Sequence, residues 1–362
     1  MPIEAPCTGF RDHAQRVSRN PRFALPRLLA ALLVVLLLPP AATRAQSIVS
    51  SVTVTHDLSL GNRYPSAQAG TLSSAFADDS LAFQRTSPPD SVEPGPHAGR
   101  LWLVGGTMAA GNIGIMGYYF ATFYNDDYNQ RAPFHTFNDW YNADVNVDKL
   151  GHIWGSQTYT HALYHLFRWT GMREAPSMYW SSGLSLLYQF EMEVVDGLYA
   201  KWGFSWWDMA ANAVGAAWPN LQRVYPFLQV VDLKMSYHPS AAVKRGWVEH
   251  DYLRDYDGFT YWLALNVHDV LPATLRDYWP RWLGIALGYG ANRTLLGKNV
   301  YNSIDGVGQG EQEWYLALDF NARALPGDTP FLRFLRESLN LFHLPMPAVR
   351  IAPDAIWYGL YF

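Results

Sequence analysis

Asp148-Lys149-Leu150-Gly151-His152 opens an otherwise apolar segment that ends near Trp169. A second polar run goes from Glu193 and Asp196 through Ser205 to Asp208, Asn212 and Gly215. A polar group facing a helix bundle's interior costs about 1–3 kcal/mol when unsatisfied, so several of them point to a shared network or a site. Asp148 and His152 stand four apart, on one helix face. A carboxylate bonded to an imidazole fixes its tautomer and raises its basicity, the pairing a general base needs. The bland alternative has Asp148 capping the helix and His152 bonding a loop. Glu193 and Asp196 are three apart, and Asp208 and Asn212 are four apart, with Gly215 leaving room for a close neighbour. If these helices pack, the carboxylates converge with His152 and Lys149. His152, Asp148, Glu193 and Asp208 would then be the catalytic groups of acid–base chemistry. Glu193, Asp196 and Asp208 would alternatively hold a divalent cation through oxygen ligands. The structural reading gives Ser205 and Asp208 to a capping box and makes Lys149, Ser205, Asn212 and Gly215 a supporting network.

Other candidates are weaker. His161 and His165 share a face at the i, i+4 spacing of helical zinc sites, but Ala162 and Leu163 stand where a metalloprotease carries its Glu. Packing and local bonding is the simpler reading of that pair. Gly288-Tyr289-Gly290 lacks a third glycine and a following helix, so it is no dinucleotide loop. No nucleophile elbow and no phosphate-cradling lysine motif occurs. A divalent cation is the one cofactor these residues would take; otherwise none is expected.

The elements that must position these residues follow a leader. Residues 1–45 carry Arg11, Arg16, Arg19, Arg22 and Arg27, then 11 apolar residues from Leu28 to Leu38, then Pro39-Pro40 and Thr43-Arg44-Ala45. That is the layout of a cleaved secretory signal, and the apolar core falls short of the ~20 residues of a span. An uncleaved anchor is the rival, and both face the chain to the periplasm. Six Lys/Arg and two Asp/Glu leave with the leader, so 21 basic against 29 acidic residues remain, a net charge of −8. No basic stripe exists to neutralise phosphates, which excludes nucleic acid as a partner. The only cysteine, Cys7, lies in the leader, which excludes disulfides, thiolate metal sites, cysteine catalysis and lipidation of a cysteine just after the cleavage point.

Residues 46–100 read as a linker, with an edge strand around Ile48, Val52 and Val54 and a Pro-rich stretch from Ser87 to Pro96. Leu101 to Asn125 is 25 residues without Asp, Glu, Lys or Arg. Length and charge fit a membrane span; five glycines and Asn112 fit a buried bundle helix equally. Three more helices follow: Asp148–Trp169, with Asp148 as N-cap, Pro176–Val195, and Ser205–Gln222. Together they make a helical bundle at 101–225. Residues 226–362 are β-rich. Alternation places strands at Val231–Tyr237, Phe259–His268, Trp282–Gly290, Glu313–Arg323 and Ile356–Phe362, with one amphipathic helix at Pro330–Phe342. Five or six strands fall short of the ~8 a closed membrane barrel needs, so a small antiparallel sheet packed on the helices is expected. The 15 tryptophans all follow residue 100, as suits either a membrane interface or a large aromatic core.

Val147-Asp148-Lys149-Leu150-Gly151-His152, Glu193-x-x-Asp196-Gly197 and Trp202-Gly203-Phe204-Ser205-x-x-Asp208-Met209-Ala210-Ala211-Asn212-x-x-Gly215 resemble the YfiM-like family of predicted periplasmic proteins, some of them lipoproteins, of unknown function. The likeness runs on through Ser236-Tyr237-His238-Pro239, Thr260-Tyr261-Trp262 and Gly288-Tyr289-Gly290-Ala291-Asn292. A looser likeness is to VanZ-like membrane proteins, matched by Asp148, Lys149 and His152 and by Glu193, Asp208, Asn212 and Gly215. Asp196 stands there for a usual Gln, and Trp202-Gly203-Phe204 for a Pro-Gly-Arg turn. These resemblances imply an envelope protein, loosely linked to glycopeptide tolerance, with no established reaction.

The expectation is an α+β chain: a helical bundle in a VanZ-like arrangement, then a small antiparallel sheet with one amphipathic helix. It is exported, periplasm-facing and membrane-associated, with membrane or envelope components as partners. Its function is structural or supporting, the bundle being fixed by the polar network. The competing functions are a hydrolase or transferase acting on a lipid-linked or cell-wall substrate, and an outer-membrane component whose strands pair with a partner.

Overall fold

Helix α1 (Ala98–Thr122) turns one narrow stripe inward: Leu101, Val104, Met108, Asn112 and Met116. Val104 packs with Leu163 and Phe167, and Asn112 Nδ2 donates to Glu191 Oε2 at 2.9 Å. The rest of the helix is exposed, Trp102 to 82%. No helix among the described residues is long and apolar enough to cross a membrane. The stretch Leu101–Asn125 forms this helix as far as Thr122 and buries only that stripe. Its glycines dilute the hydropathy below that of a span and leave little side chain to bury. This computed structural model describes residues 95–122, 124, 130–140, 142–248, 252–301 and 308–361. The leader and the edge strand around Ile48–Val54 lie outside the described residues, and so does the linker except at its end, where α1 has already begun.

Helices α2 (Val147–Trp169), α3 (Glu174–Asp196) and α4 (Trp206–Val224) pack together. Small polar residues make the close approach possible. Ser177, Ser181 and Ser185 line one buried edge of α3. Ser185 Oγ donates to the Ser156 carbonyl at 2.9 Å, and Ser182 Oγ and Thr160 Oγ1 both donate to the Ala216 carbonyl, at 2.6 and 3.1 Å. Gly215 lies directly against the α2 backbone: a Cβ there would sit 2.1 Å from the Ile153 carbonyl oxygen. Only glycine fits that contact.

The helix ends differ from expectation in a way that matters for the site. Asn146, in left-handed conformation with φ 69°, is the N-cap of α2, and Asp148 falls within the first turn. Asp148 is therefore not a cap. Val145 also has positive φ, at 48°, a strained state for a β-branched residue that costs about 1–3 kcal/mol. At α4 the N-cap is Ser205, whose Oγ accepts from the Asp208 amide at 3.1 Å. The reciprocal half of a capping box is made by Glu193, whose Oε2 accepts from the Ser205 amide at 3.0 Å. The Asp208 carboxylate is thus released from capping duty. A two-stranded parallel pair, β1 (Thr136–Phe137) with β2 (Phe204–Ser205), ties the preceding loop to this corner.

The C-terminal half is a six-stranded antiparallel meander: β3 (Val231–Tyr237), β4 (Phe259–Leu265), β5 (Leu283–Asn292), β6 (Glu311–Phe320), β7 (Met346–Ala352) and β8 (Ile356–Tyr361). The architecture is α+β. β4 stops at Leu265, short of His268, where a helical turn Val267–Val270 begins. β7 was not anticipated, because Pro347 and Arg350 interrupt its alternation. The register slips between Met346 and Ala348, the kind of irregularity at which a strand tolerates proline. Inward-facing Trp262, Ala264, Ala286, Tyr315, Ala317 and Ala348 make the sheet's core. The amphipathic helix α5 (Pro330–Leu339) is capped by Thr329. The turn after it covers the outer edge of β3: Met235 N donates to the Leu341 carbonyl and His343 N to the Met235 carbonyl, at 3.1 and 2.9 Å. That removes an exposed edge. Trp154 Nε1 to the Leu341 carbonyl and Gln157 Nε2 to the Leu233 carbonyl, each 2.8 Å, fasten α2 to the sheet. Val145, Val147 and Ala291 pack with Tyr256, Tyr261 and Tyr289 where α2 begins.

Candidate functional site

The close packing of α2, α3 and α4 brings the two polar runs together. Lys149 Nζ forms the floor, bonded to Asp139, at 3.0 Å from Asp148 Oδ2 and at 2.7 Å from Asp208 Oδ1. His152 lies beside it. Its Nε2 is 3.7 Å from Asp148 Oδ1, 3.8 Å from Glu193 Oε1 and 3.7 Å from Asp208 Oδ1. These separations are too long for hydrogen bonds. His152 Nδ1 lies 3.1 Å from Asn212 Oδ1, which also accepts from Ser156 Oγ at 2.9 Å. An amide oxygen can only accept, so Nδ1 carries the proton and Nε2 is the nitrogen facing the carboxylates. Glu193 Oε1 and Asn212 Nδ2 are buried without a hydrogen-bond partner, and Asp208 Oδ1 meets only the Lys149 ammonium. His152 and Asp148 keep 23% and 19% of their side chains exposed, whereas Glu193 keeps 2%. The cluster is buried at its floor and reachable at His152.

The electrostatics follow from this crowding. Burial opposes charge on His152, but Asp208, Asp148 and Glu193 outweigh it and hold the imidazole up at about 9. Lys149 is likewise disfavoured by burial and held well above its ordinary value by Asp148, Asp208 and Asp139. Burial pushes Glu193 up to about 8 and Asp208 to about 7; His152 pulls both the other way. For Asp148 burial acts upward too, yet Lys149, His152 and a hydrogen bond from Tyr256 prevail and lower it. The site thus favours two cations, Lys149 and His152, with Asp148 biased toward its ionised form and Glu193 and Asp208 toward their protonated forms.

The expected residues divide as follows. His152, Asp148, Glu193, Asp208, Lys149 and Asn212 meet. Ser205 joins them at the edge, where its Oγ donates to Asp139 Oδ1 at 2.7 Å. Gly215 acts through the helix contact. Asp196, expected beside Glu193 as a cation ligand, stands apart: it ends α3 and accepts from Tyr124 OH at 2.5 Å. Asp148, His152 and Asp208 offer ligand atoms within 4.8 Å of one another. A cation there would have to displace the Lys149 ammonium, which already neutralises Asp208 Oδ1. Acid–base chemistry suits the donor set better than a metal. Asp139 was missed because it sits in a loop without periodicity. Asp144, pushed up to about 7 by burial and by Asp148, was missed for the same reason.

The segment that holds this cluster also carries the one likeness found. Residues 138–223 match a family described as predicted periplasmic lipoprotein (DUF2279). No curated protein and no solved structure matches the chain. The matched stretch runs from the loop before Asp139 almost to the end of α4 and includes every residue that meets at His152. It agrees, at a coarse level, with the YfiM-like resemblance and with an exported, periplasmic location. The VanZ-like likeness stays one of short motifs.

Proposed function

We propose that this chain is an exported, periplasm-facing, membrane-associated envelope protein whose helical half carries a proton-transfer site centred on His152. The reaction class is hydrolysis or group transfer on a lipid-linked or cell-wall substrate. The observation that carries the reading is the position of His152, a partly exposed side chain whose Nε2 faces three carboxylates it does not hydrogen-bond. A purely structural network satisfies its buried polar atoms, and this one leaves Glu193 Oε1 and Asn212 Nδ2 without a hydrogen-bond partner. His152, charged at neutral pH, is the acid. Glu193 and Asp208 lie where a base must lie to exchange protons near pH 7, and ionised Asp148 holds the imidazolium in place.

Membrane association is supported by the outer face of the sheet. Leu263, Leu287, Leu316 and Trp357 belong to one cross-strand row, with Ile285 and Leu318 in the next, and all are exposed. An antiparallel sheet with a continuous apolar outer face departs from the usual soluble pattern, in which that face is polar.

The test is complementation of a deletion strain for its envelope sensitivity. His152→Gln is expected to fail while its thermal midpoint at pH 9, where the imidazolium contributes little, stays within about 3 °C of the parent, under about 1 kcal/mol. A midpoint collapse that accompanies the loss would leave the supporting-network reading, which the three-way pairing of Lys149 favours. For the membrane, flotation with vesicles should recover the parent protein, and Leu287→Asp with Leu316→Asp should release it. A parent protein that stays with the soluble fraction would end that part.

A further inference from the structure

A second cluster lies on the opposite end of α2, and its third member comes from the far end of the chain. His161 and His165, one turn apart, face Glu337 of α5. His165 Nε2 is 3.0 Å and His161 Nδ1 is 3.8 Å from the same oxygen, Glu337 Oε2. All three ligand atoms fall within 4.8 Å of one another. Tetrahedral coordination with bonds near ~2.1 Å needs ligand atoms about 3.4 Å apart, and the two measured edges bracket that value.

The surroundings are those of a built site. His161 Nε2 lies 3.2 Å from Ser338 Oγ, an orienting bond that leaves Nδ1 to point into the cluster. Its ring stacks on Phe334, with centroids 5.8 Å apart and planes 6° from parallel. Glu337 and His165 keep 28% and 19% of their side chains exposed, so an ion can enter and a fourth position can stay open. Arg223 is the cation that competes for Glu337 Oε2. It is anchored by the Pro219 carbonyl at 2.9 Å and by the Tyr164 ring, and its Nη2 reaches Glu337 Oε2 only at 3.6 Å.

We propose that His161, His165 and Glu337 form a site for one zinc-type divalent cation, which clips α2 to α5. Two imidazoles and one carboxylate are the donor set zinc accepts, and the ion adds no step to the chemistry at His152. The proposal is independent of the function assigned to His152. It also reverses the simpler reading of the His pair, because the acidic ligand sits 172 residues away from His165.

The test is titration of the full chain, freed of metal, with Co2+ followed by visible absorption, and with Zn2+ followed by thermal unfolding. One equivalent of Co2+ should raise the intense d–d bands of a four-coordinate ion, and Zn2+ should lift the thermal midpoint. His165→Gln and Glu337→Gln should each lose the bands, whereas His152→Gln should keep them. Arg223→Gln should tighten binding by several fold. Absence of the bands in the parent protein overturns the proposal without recourse to any variant. Bands that survive His165→Gln, or vanish with His152→Gln, overturn it as well by moving the ion elsewhere.

Discussion

Lys149 and Lys234 are both buried among aspartates, one between helices and the other inside the sheet, and they are served very differently. Lys234 Nζ donates to Asp319 Oδ2 at 2.7 Å, to the Phe320 carbonyl at 2.9 Å and to Asn340 Oδ1 at 3.0 Å. Three donors meet three acceptors. Nearby, Asp232 Oδ2 accepts from Asn266 and Asn340 at 3.0 and 2.8 Å, and its Oδ1 meets Arg323 at 2.6 Å. Lys234 and Asp319 have no exposed side-chain area, and the oxygens left without a hydrogen bond are Asp319 Oδ1, 3.9 Å from His343, and Asn266 Oδ1. Two cations, Lys234 and Arg323, meet two carboxylates, Asp319 and Asp232. Around Lys149, by contrast, carboxylates outnumber cations, and His152 and Asp148 reach the surface. A charge-balanced network sealed at its lysine holds strands in register. An open one with excess carboxylates stores charge that can move. The contrast teaches that burial of a lysine among aspartates says little by itself; charge balance and access separate a strut from a site.

The comparison breaks most visibly in stability. Lys234→Ala leaves Asp319 buried and unpaired, which is expected to cost about 3–5 kcal/mol. At roughly 2–4 °C per kcal/mol for a large domain, the thermal midpoint should fall by about 10 °C. Lys149→Ala should cost less, about 1–3 kcal/mol, because Asp208 is already half-ready to protonate and Asp148 reaches water. Denaturant unfolding of both variants side by side checks this. Equal losses would mean that the helical cluster is as much a strut as the sheet cluster.

How much of this was legible follows from which contacts are local. Helices α2, α3 and α4 and five of the six strands follow the apolar period, because a face that must be buried repeats along the chain. The polar positions His152, Glu193, Asp208 and Asn212 stood out as exceptions to that period. Asp139 and Asp144 broke no period and so left no trace. Glu337 looked like any solvated charge on an amphipathic helix until α5 was placed beside α2. Asp196 was misplaced for a physical reason: spacing of three along a helix predicts a shared direction, yet Asp196 is the last residue of α3, where the chain turns and Tyr124 claims its carboxylate. β7 escaped because a proline within a strand argues against one until a bulge is seen to hold it.

The finest discrimination is by pH. The folded-state value of His152, about 9, lies above its ordinary 6.5, so the native state binds the proton more tightly than the unfolded chain does. The stability this contributes is fully present below pH 6.5 and is lost as pH rises through 9. Glu193 and Asp208, raised to about 8 and 7, act in the same sense over the lower part of that window. His343, held down at about 4 chiefly by burial beside the sheet network, acts oppositely and only below 6.5, so it does not interfere above neutrality. The thermal midpoint of the parent protein should therefore decline between pH 6.5 and 9, and His152→Gln should flatten that decline while barely moving the midpoint near pH 9. Removing Lys234 should leave the shape of the curve over this window unchanged and simply lower it. A parallel decline in His152→Gln and the parent would mean that the imidazole is not the group that holds the proton, and the distinction between the two lysine networks would then rest on packing alone.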